Sequence, residues 1–272
     1  MTWAVRRVSS GVREKLLLVL AAASVLASGC GAHAQAGAPP AGAAPSSAVL
    51  SSGALSSGVP DSTQPHTPTG GGTPVTYPVT GPGTYRVAST ASAVAGTGGT
   101  LLTYRVAVEQ GIAGISADAF ADAVARTLAD PRGWTATGKW RLQRVAADAR
   151  YDFTIYLATP ATRDKLCKSE YDRYTSCRRD NSVVLNVARW VHGVPDYGAD
   201  LATYRQYMVN HETGHRLYHG HELCPGPGRP APVMEQQTLG LHGCVANAWP
   251  MVDGRAYAGV SGQYDDPLPA NS

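Results

Sequence analysis

The chain has 272 residues, 43% of them hydrophobic and 16% charged, so it is long enough for one or two domains and can build an apolar core. Its net charge of +3 lies wholly in the first 30 residues, since the rest of the chain sums to zero. The charged side chains of that segment are Arg6, Arg7, Arg13, Glu14 and Lys15. This balance argues against a nucleic-acid partner, because a protein that binds a polyanion needs a basic surface.

The N-terminal residues are typical of an export signal. An apolar run at 16–27 follows the basic residues and is shorter than the ~20 residues that span a bilayer as a helix. Two small residues then precede Cys30, as in a bacterial lipobox, so residues 1–30 are predicted to be a lipoprotein signal peptide with Cys30 lipidated. Cleavage after Ala34, in an Ala-x-Ala site, is the alternative. We therefore expect either a lipoprotein outside the cytoplasmic membrane, held there only by its lipid anchor, or a secreted protein.

Residues 31–75 are rich in Ala, Gly, Ser, Pro and Thr, and Asp61 is their one charged residue. Such a segment buries too little apolar surface to offset the entropy of ordering it, so a disordered linker is predicted there. The folded domain is predicted over 76–265 and a flexible tail over 266–272, and we expect a monomer.

Four cysteines follow the signal segment: Cys167, Cys177, Cys224 and Cys244. An even number of cysteines in an exported chain indicates two disulfides, and four cysteines allow three pairings. Pairing Cys167 with Cys177 and Cys224 with Cys244 closes short loops and is the pairing that we expect. A metal-ligand role for Cys224 is the alternative.

The pattern of apolar residues predicts a mixed secondary structure. Strands are predicted at 101–109, 153–158 and 183–188, and a turn is predicted at 178–180. Helices are predicted at 117–129 after the capping residue Ser116, near 161–166, and after the capping residue Asp200. One face of the last helix carries Leu201, Tyr204, Met208, His211 and His215. This order indicates an α+β fold with a small mixed sheet, one long helix and a loop-rich C-terminal part stapled by a disulfide.

The long helix ends in His211-Glu212-x-x-His215, the H-E-x-x-H arrangement. Residues four apart on a helix differ by ~6 Å of rise and ~40° of rotation, so both imidazoles can bind one zinc ion. Glu212 points to one side, where its carboxylate can reach a water activated by the metal. A catalytic Zn²⁺ site is therefore predicted, with His211 and His215 as ligands and Glu212 as the general base.

A catalytic zinc needs a third protein ligand and an open position. His219 would lie ~12 Å from His211 if the helix continued, and His221 would lie farther still. Gly220 can take a positive φ and turn the chain back under the helix, which would bring His221 to the metal.

His211, Glu212, His215 and His221 fall at the spacing of H-E-x-x-H-x-x-G-x-x-H, and the sequence thereby resembles the metzincin zinc peptidases. The resemblance implies a metzincin-like fold, and a Met-turn that Met234 would supply as an apolar floor beneath the metal. It also implies a protein or peptide substrate that aligns along an edge strand. The chain is similar as well to an uncharacterised family of exported, metzincin-like actinobacterial proteins, whose activity is itself inferred from the zinc motif. That similarity covers segments 130–134, 186–190, 210–221, 224–228, 232–238 and 247–250.

The sequence departs from the metzincin pattern at one position, where Tyr218 replaces the glycine that makes the turn. Tyrosine with a positive φ is strained, so either the turn moves to Gly220 or His221 is not the third ligand. In the second case His219, or a downstream carboxylate such as Glu222 or Glu235, takes its place.

The sequence thus predicts an exported zinc metallopeptidase that hydrolyses peptide bonds. A non-catalytic cell-envelope lipoprotein with a structural or vestigial zinc site is the main alternative. Glu212 favours the enzyme, because a structural zinc has no need of a carboxylate beside its first histidine. A zinc-dependent amidase that acts on peptidoglycan stems is a weaker third hypothesis. Gln236, Gln237 and Tyr218 are candidates for lining the substrate cleft.

Overall fold

A computed structural model of the protein describes residues 73–269. The predicted signal peptide, Cys30, the Ala34 cleavage site, nearly all of the predicted linker and the last three residues of the tail lie outside the described residues. Among the helices of residues 73–269, none combines the length and the apolar character needed to cross a membrane.

The described chain forms ten strands and four α-helices. The strands are β1 (Tyr85–Val87), β2 (Thr100–Glu109), β3 (Trp140–Arg144), β4 (Phe153–Ala158), β5 (Cys177–Arg179), β6 (Ser182–Asn186), β7 (Glu222–Leu223), β8 (Met251–Val252), β9 (Arg255–Ala256) and β10 (Val260–Ser261). The helices are α1 (Ala117–Ala129), α2 (Pro160–Cys167), α3 (Val187–His192) and α4 (Leu201–Arg216), and a single 3₁₀ turn covers Trp134–Thr137.

The main sheet has six strands and is mixed. Its order is β1-β2-β4-β6-β5, and β3 pairs in parallel with the first half of the long strand β2. The central strands β2, β4 and β6 are parallel to one another, whereas β1 and β5 at the two edges are antiparallel to their neighbours. The centre of the sheet is apolar on both faces, as expected for parallel strands covered by helices.

Helices α1 and α4 contact each other and pack on the sheet, α1 against β2 and α4 against β5 and β6. Helix α1 buries Phe120, Val124 and Leu128, which recur every fourth residue, and Ser116 caps it by accepting a hydrogen bond from the Ala119 amide. Helix α4 begins at Asp200, whose carboxylate accepts from the amide of Thr203. One core thus supports the helix that carries the H-E-x-x-H residues.

The predicted α+β class, the small mixed sheet and both disulfides, Cys167–Cys177 and Cys224–Cys244, are confirmed. Because both sulfurs of the second pair are bonded, Cys224 is a disulfide partner and its alternative role as a metal ligand is wrong.

Two local predictions are wrong. The strand predicted to 188 ends at Asn186, whose side chain accepts from the Ala188 amide and starts α3 instead. The turn predicted at 178–180 begins two residues later, because Arg178 and Arg179 belong to the edge strand β5 and Asp180 takes the positive φ of 50°.

Candidate metal centre

The turn that ends α4 is made by Tyr218. The Tyr218 amide donates to the His215 carbonyl at 3.2 Å and the His219 amide donates to the Gly214 carbonyl at 3.0 Å, which together form a Schellman motif. Tyr218 has a φ of 70°, in the left-handed region, whereas the φ of Gly220 is not positive. The expected shift of the turn to Gly220 is therefore wrong.

Tyrosine tolerates this conformation for two reasons. Its side chain is 77% exposed, so the ring meets little of the fold, and the two hydrogen bonds of the motif satisfy carbonyls at the helix end. These gains offset a left-handed penalty of roughly 1–2 kcal/mol. The chain consequently reverses at the position where the metzincin pattern has glycine, and the residues after Tyr218 fold back beneath the helix.

This reversal brings three imidazole rings together. The Nε2 atom of His215 lies 3.2 Å from Nε2 of His211 and 3.1 Å from Nε2 of His221. The three residues form a group that can hold a metal ion, with their donor atoms all within 4.8 Å of one another. Tetrahedral zinc at ~2.0–2.1 Å from each nitrogen would place the nitrogens about 3.3 Å apart, close to the separations found here.

Each ring is held from behind by a hydrogen-bond acceptor. His211 Nδ1 donates to the Val233 carbonyl at 2.9 Å, and His215 Nδ1 donates to the His219 carbonyl at 2.9 Å. His221 Nδ1 donates to Oε1 of Gln263 at 3.0 Å. A neutral imidazole has one N–H, and here it faces an acceptor that cannot donate in return. All three Nε2 atoms therefore present lone pairs to one point, an arrangement that a cation stabilises and that fits a divalent metal.

The protonation of the rings agrees with metal binding. Burial lowers the pKa of His211 well below its ordinary value, and the charges of His215 and His221 lower it further. Burial also lowers the pKa of His215 to about 4, against the opposing effect of its hydrogen bond to the His219 carbonyl. Both rings are thus neutral at neutral pH, as a metal ligand must be.

His219, the alternative third ligand, takes a different place. Its ring lies against the indole of Trp134, with ring centroids 4.3 Å apart, and its backbone carbonyl orients His215. Glu222, another alternative, accepts a hydrogen bond from the Gly259 amide at 3.0 Å. Neither side chain belongs to the group that His221 completes.

Glu212 is buried beside the three histidines, at the edge of the same cleft. Its Oε2 atom has no hydrogen-bond partner within residues 73–269. Burial raises the pKa of Glu212 to about 8, the positive charge of Arg163 opposes this, and the negative charge of Asp172 adds to it. Arg163 is itself held by ion pairs to Asp164 at 3.0 Å and to Asp172 at 2.7 Å.

Met234, the residue of the expected Met-turn, is fully buried. It packs against Gly214, where the Cβ atom of any larger residue would meet the Met234 sulfur and would lie 2.6 Å from Cζ2 of Trp134. The preceding residue, Val233, supplies the carbonyl that holds His211. The segment that carries Met234 therefore fits closely under α4 and also positions one ligand.

The histidines open onto a cleft of about 560 Å³. Tyr218 and Gln236 line it, as expected, but Gln237 does not, because its amide donates to the carbonyls of Pro232 and Asn247 in the interior. Arg178 of β5 lines the cleft as well, although the sequence did not single it out. The prediction of a turn at 178–180 hid the position of Arg178. The alternation of side chains along a strand that begins at the disulfide-bonded Cys177 could have revealed it.

A second group of candidate ligands contains Cys224, Glu235 and Cys244. Both sulfurs are bonded to each other, so this group offers only the carboxylate of Glu235. Glu235 is fully buried, and burial raises its pKa to about 7, with the negative charge of Asp266 as a smaller cause.

No curated protein sequence and no solved structure matches the chain. A family model does match, over residues 69–252, which contain His211, Glu212, His215, His221 and Met234. That stretch is more than half of the chain. The protein therefore belongs to the family described as protein of unknown function, DUF3152.

Proposed function

We propose that the protein is an exported zinc-dependent metallopeptidase that hydrolyses peptide bonds with Glu212 as the general base. The observation that carries the proposal is the convergence of three Nε2 lone pairs on an open cleft, beside a buried carboxyl oxygen without a hydrogen-bond partner in the described chain. His211, His215 and His221 would hold the metal. Three nitrogen ligands and an open side are the arrangement of catalytic rather than structural zinc.

Zinc held there supplies Lewis-acid chemistry, since it polarises a carbonyl group and makes water more acidic. The protein supplies proton transfer and orientation. The positive charge of a bound metal would favour the ionised form of Glu212, which could then accept a proton from the attacking water and donate it to the nitrogen of the leaving amine, first as base and then as acid. The acceptors Val233, His219 and Gln263 fix the rings so that each Nε2 faces the cleft.

Two features support a metzincin-like site in particular. The Schellman turn at Tyr218 reverses the chain at the position of the metzincin glycine, and Met234 provides an apolar floor. Strand β5 forms the edge of the main sheet and contacts α4, and Cys177 and Arg178 of this strand line the cleft. We propose that an extended peptide substrate aligns along β5.

Export is part of the proposal and rests on two disulfides, which form in oxidising compartments, and on the signal-like N-terminal sequence. We propose that Cys30 carries a lipid and that residues 31–75 extend between this anchor and the folded domain.

The first experiment measures zinc per chain in protein purified under oxidising conditions. We expect close to one zinc, lost in His211→Ala and in His221→Ala but kept in His219→Ala, which is the matched control because its ring lies outside the ligand group. A folded wild-type protein without zinc would contradict the proposal and would leave an envelope lipoprotein with a vestigial site.

The second experiment tests catalysis with a mixed peptide library read by mass spectrometry. Glu212→Gln should keep its zinc and lose at least about 100-fold in rate, because general acid–base catalysis contributes roughly 10²–10⁴-fold. A Glu212→Gln protein that cleaves as fast as the wild type would refute the mechanism. A zinc-loaded wild type that cleaves no peptide would favour the non-catalytic alternative.

A further inference from the structure

Arg178 is placed in the cleft by the geometry of β5. Cys177 is bonded to Cys167 of α2, and successive side chains of a strand point to opposite faces. Arg178 therefore points to the opposite face of β5 from Cys177, and it lines the cleft onto which the histidines open. Its backbone is held in register opposite Val183 of β6, so the side chain starts from a rigid element.

The guanidinium of Arg178 has no protein partner within residues 73–269. It forms none of the salt bridges or side-chain hydrogen bonds of this region, and its Nε atom is buried without an acceptor. Arg163, by contrast, is paired with two aspartates, and Arg179 lies near Asp180 in solvent. Arginine stays charged in proteins, so Arg178 is a permanent, unpaired cation in the cleft wall.

The remaining lining of the cleft contains little negative charge to balance this cation. The polar residues Gln236 and Thr238 are neutral, and Glu212 is the one acidic residue among the lining side chains. With a divalent metal in place, the cleft has a strongly positive field, which attracts anions.

We propose that Arg178 is a specificity-determining residue that binds a carboxylate of the substrate while the scissile amide lies at the metal centre. The guanidinium fork matches a carboxylate in geometry and charge, and the buried Nε would gain the acceptor that the protein does not provide. The inference rests on the proposed peptidase function and adds its substrate class: peptides with an acidic side chain, or with a free C-terminal carboxylate, near the cleaved bond.

A binding experiment tests the residue without catalysis. The probes are the monohydroxamates of succinic, glutaric and adipic acid, in which the hydroxamate chelates zinc and the carboxylate extends to a variable distance. Each is compared by calorimetry with the same molecule ending in a neutral carboxamide. At least one carboxylate should bind about 10-fold or more tightly than its carboxamide, since a hydrogen bond between two charged groups is stronger than one to a neutral acceptor.

The matched variants are Arg178→Gln and Arg179→Gln, neighbours on one strand that differ in the face they occupy. The carboxylate preference should vanish in Arg178→Gln and persist in Arg179→Gln. Equal affinities within every pair in the wild type, or a preference that survives Arg178→Gln, would overturn the assignment. If no hydroxamate of either kind binds, the metal centre itself fails, and the assignment fails with it.

Kinetics then distinguish the two sources of the carboxylate. A peptide that the wild type cleaves is made in four forms, with Glu or Gln beside the cleaved bond and with a free or amidated C-terminus. Arg178→Gln should lower kcat/KM by about 10-fold or more for two of the four forms: the two that contain Glu if a side chain is recognised, or the two with a free C-terminus if the chain end is recognised. A uniform loss over all four forms would show that Arg178 does not determine specificity.

Discussion

Two clusters of three potential ligands lie in the C-terminal half of this protein, and they differ in what their donor atoms can do. His211, His215 and His221 each keep a lone pair directed at a common point, because a hydrogen bond behind each ring occupies the other nitrogen. In the other cluster the sulfurs of Cys224 and Cys244 are joined to each other, and no acceptor or donor among the described residues meets the carboxyl group of Glu235.

The difference shows that residue type and proximity are insufficient to identify a metal site. Both clusters place three suitable side chains within 4.8 Å. Only the histidines have open donor atoms, orienting partners and access to a cleft. The cysteine cluster instead forms a covalent cross-link, since its disulfide closes the loop of 20 residues that contains Val233 and Met234. One cluster binds the metal in our proposal, and the other holds its floor.

The test with the largest expected effect removes the disulfide between Cys224 and Cys244. Cys224→Ser combined with Cys244→Ser should lower the free energy of unfolding by roughly 3 kcal/mol, because the unfolded chain regains the freedom of a 20-residue loop. Zinc content should stay near one per chain in the folded variant, since neither sulfur is a ligand. The measurements are urea denaturation and metal analysis.

The double variant Cys167→Ser with Cys177→Ser is the control for that test. Its loop has 10 residues, so its loss should be smaller by about 0.6 kcal/mol. A folded Cys224/Cys244 variant that loses its zinc would contradict the assignment of metal binding to the histidine cluster alone.

Glu235 provides the next test, through pH. Its pKa of about 7 in the folded state exceeds its ordinary 4.5, so the folded protein binds the proton more tightly than the unfolded chain. Stability from this group is therefore present below about pH 4.5 and is lost as the pH rises to about 7. Glu235→Gln keeps the shape without the charge, and at pH 8 it should be more stable than the wild type by about 3 kcal/mol.

At pH 4 the two proteins should unfold with nearly equal free energies, because the carboxyl group is then protonated in both states. Unfolding is followed with EDTA present, so that metal binding does not enter the comparison. Glu170→Gln, at an exposed position, should show the same difference from the wild type at both pH values. If Glu235→Gln were no more stable at pH 8 than at pH 4, relative to the wild type, Glu235 would have a partner that the structure does not show.

The packing beneath the histidines is tested at Gly214. Alanine there should lower the free energy of unfolding by about 2 kcal/mol, because its Cβ atom collides with Met234 and Trp134, although alanine favours a helix by ~1 kcal/mol. Zinc affinity should fall with it, as α4 shifts away from the floor. Gly220→Ala is the control, since a Cβ atom there meets nothing within 4 Å, and it should change stability by less than about 0.5 kcal/mol. A Gly214→Ala protein as stable as the wild type would show that Met234 and Trp134 can shift at little energetic cost.

The sequence predicted most of what local chemistry determines. Helix α1 has its predicted bounds, and its cap Ser116 and the cap Asp200 of α4 act as expected, because capping and periodicity involve residues close in sequence. The short strands β1 and β3 were missed, since their pairing with β2 depends on residues far along the chain. The place of Arg178 was missed because residues 178–180 were assigned to a turn, whereas Arg178 belongs to β5, which pairs with β6.

The histidine cluster was predictable as a set of residues and not as a geometry. Helix spacing relates His211 to His215, but the position of His221 depends on the turn that separates it from His215. The orienting acceptors could not be inferred, because Val233 and Gln263 approach from loops that no local pattern describes. A positive φ is unfavourable for tyrosine, as the prediction for position 218 assumed. The hydrogen bonds of the Schellman motif nevertheless outweigh this cost at Tyr218.

The smallest test concerns that turn, which delivers His221 to the histidine cluster. Tyr218→Gly removes the cost of ~1–2 kcal/mol that the left-handed conformation imposes on tyrosine. Glycine also gives the unfolded chain more conformational freedom, which cancels ~0.5–1 kcal/mol of that gain. The net gain in the free energy of unfolding should be about 0.5–1 kcal/mol, measured by urea denaturation with EDTA present. Tyr218→Ala is the matched control, because it removes the ring and keeps the penalty, so it should gain nothing. If alanine stabilised the protein as much as glycine, the ring and not the backbone would be the source of the cost. Both variants should retain one zinc per chain, because the hydrogen bonds that reverse the chain come from the backbone of residues 214–219 and not from the side chain of Tyr218.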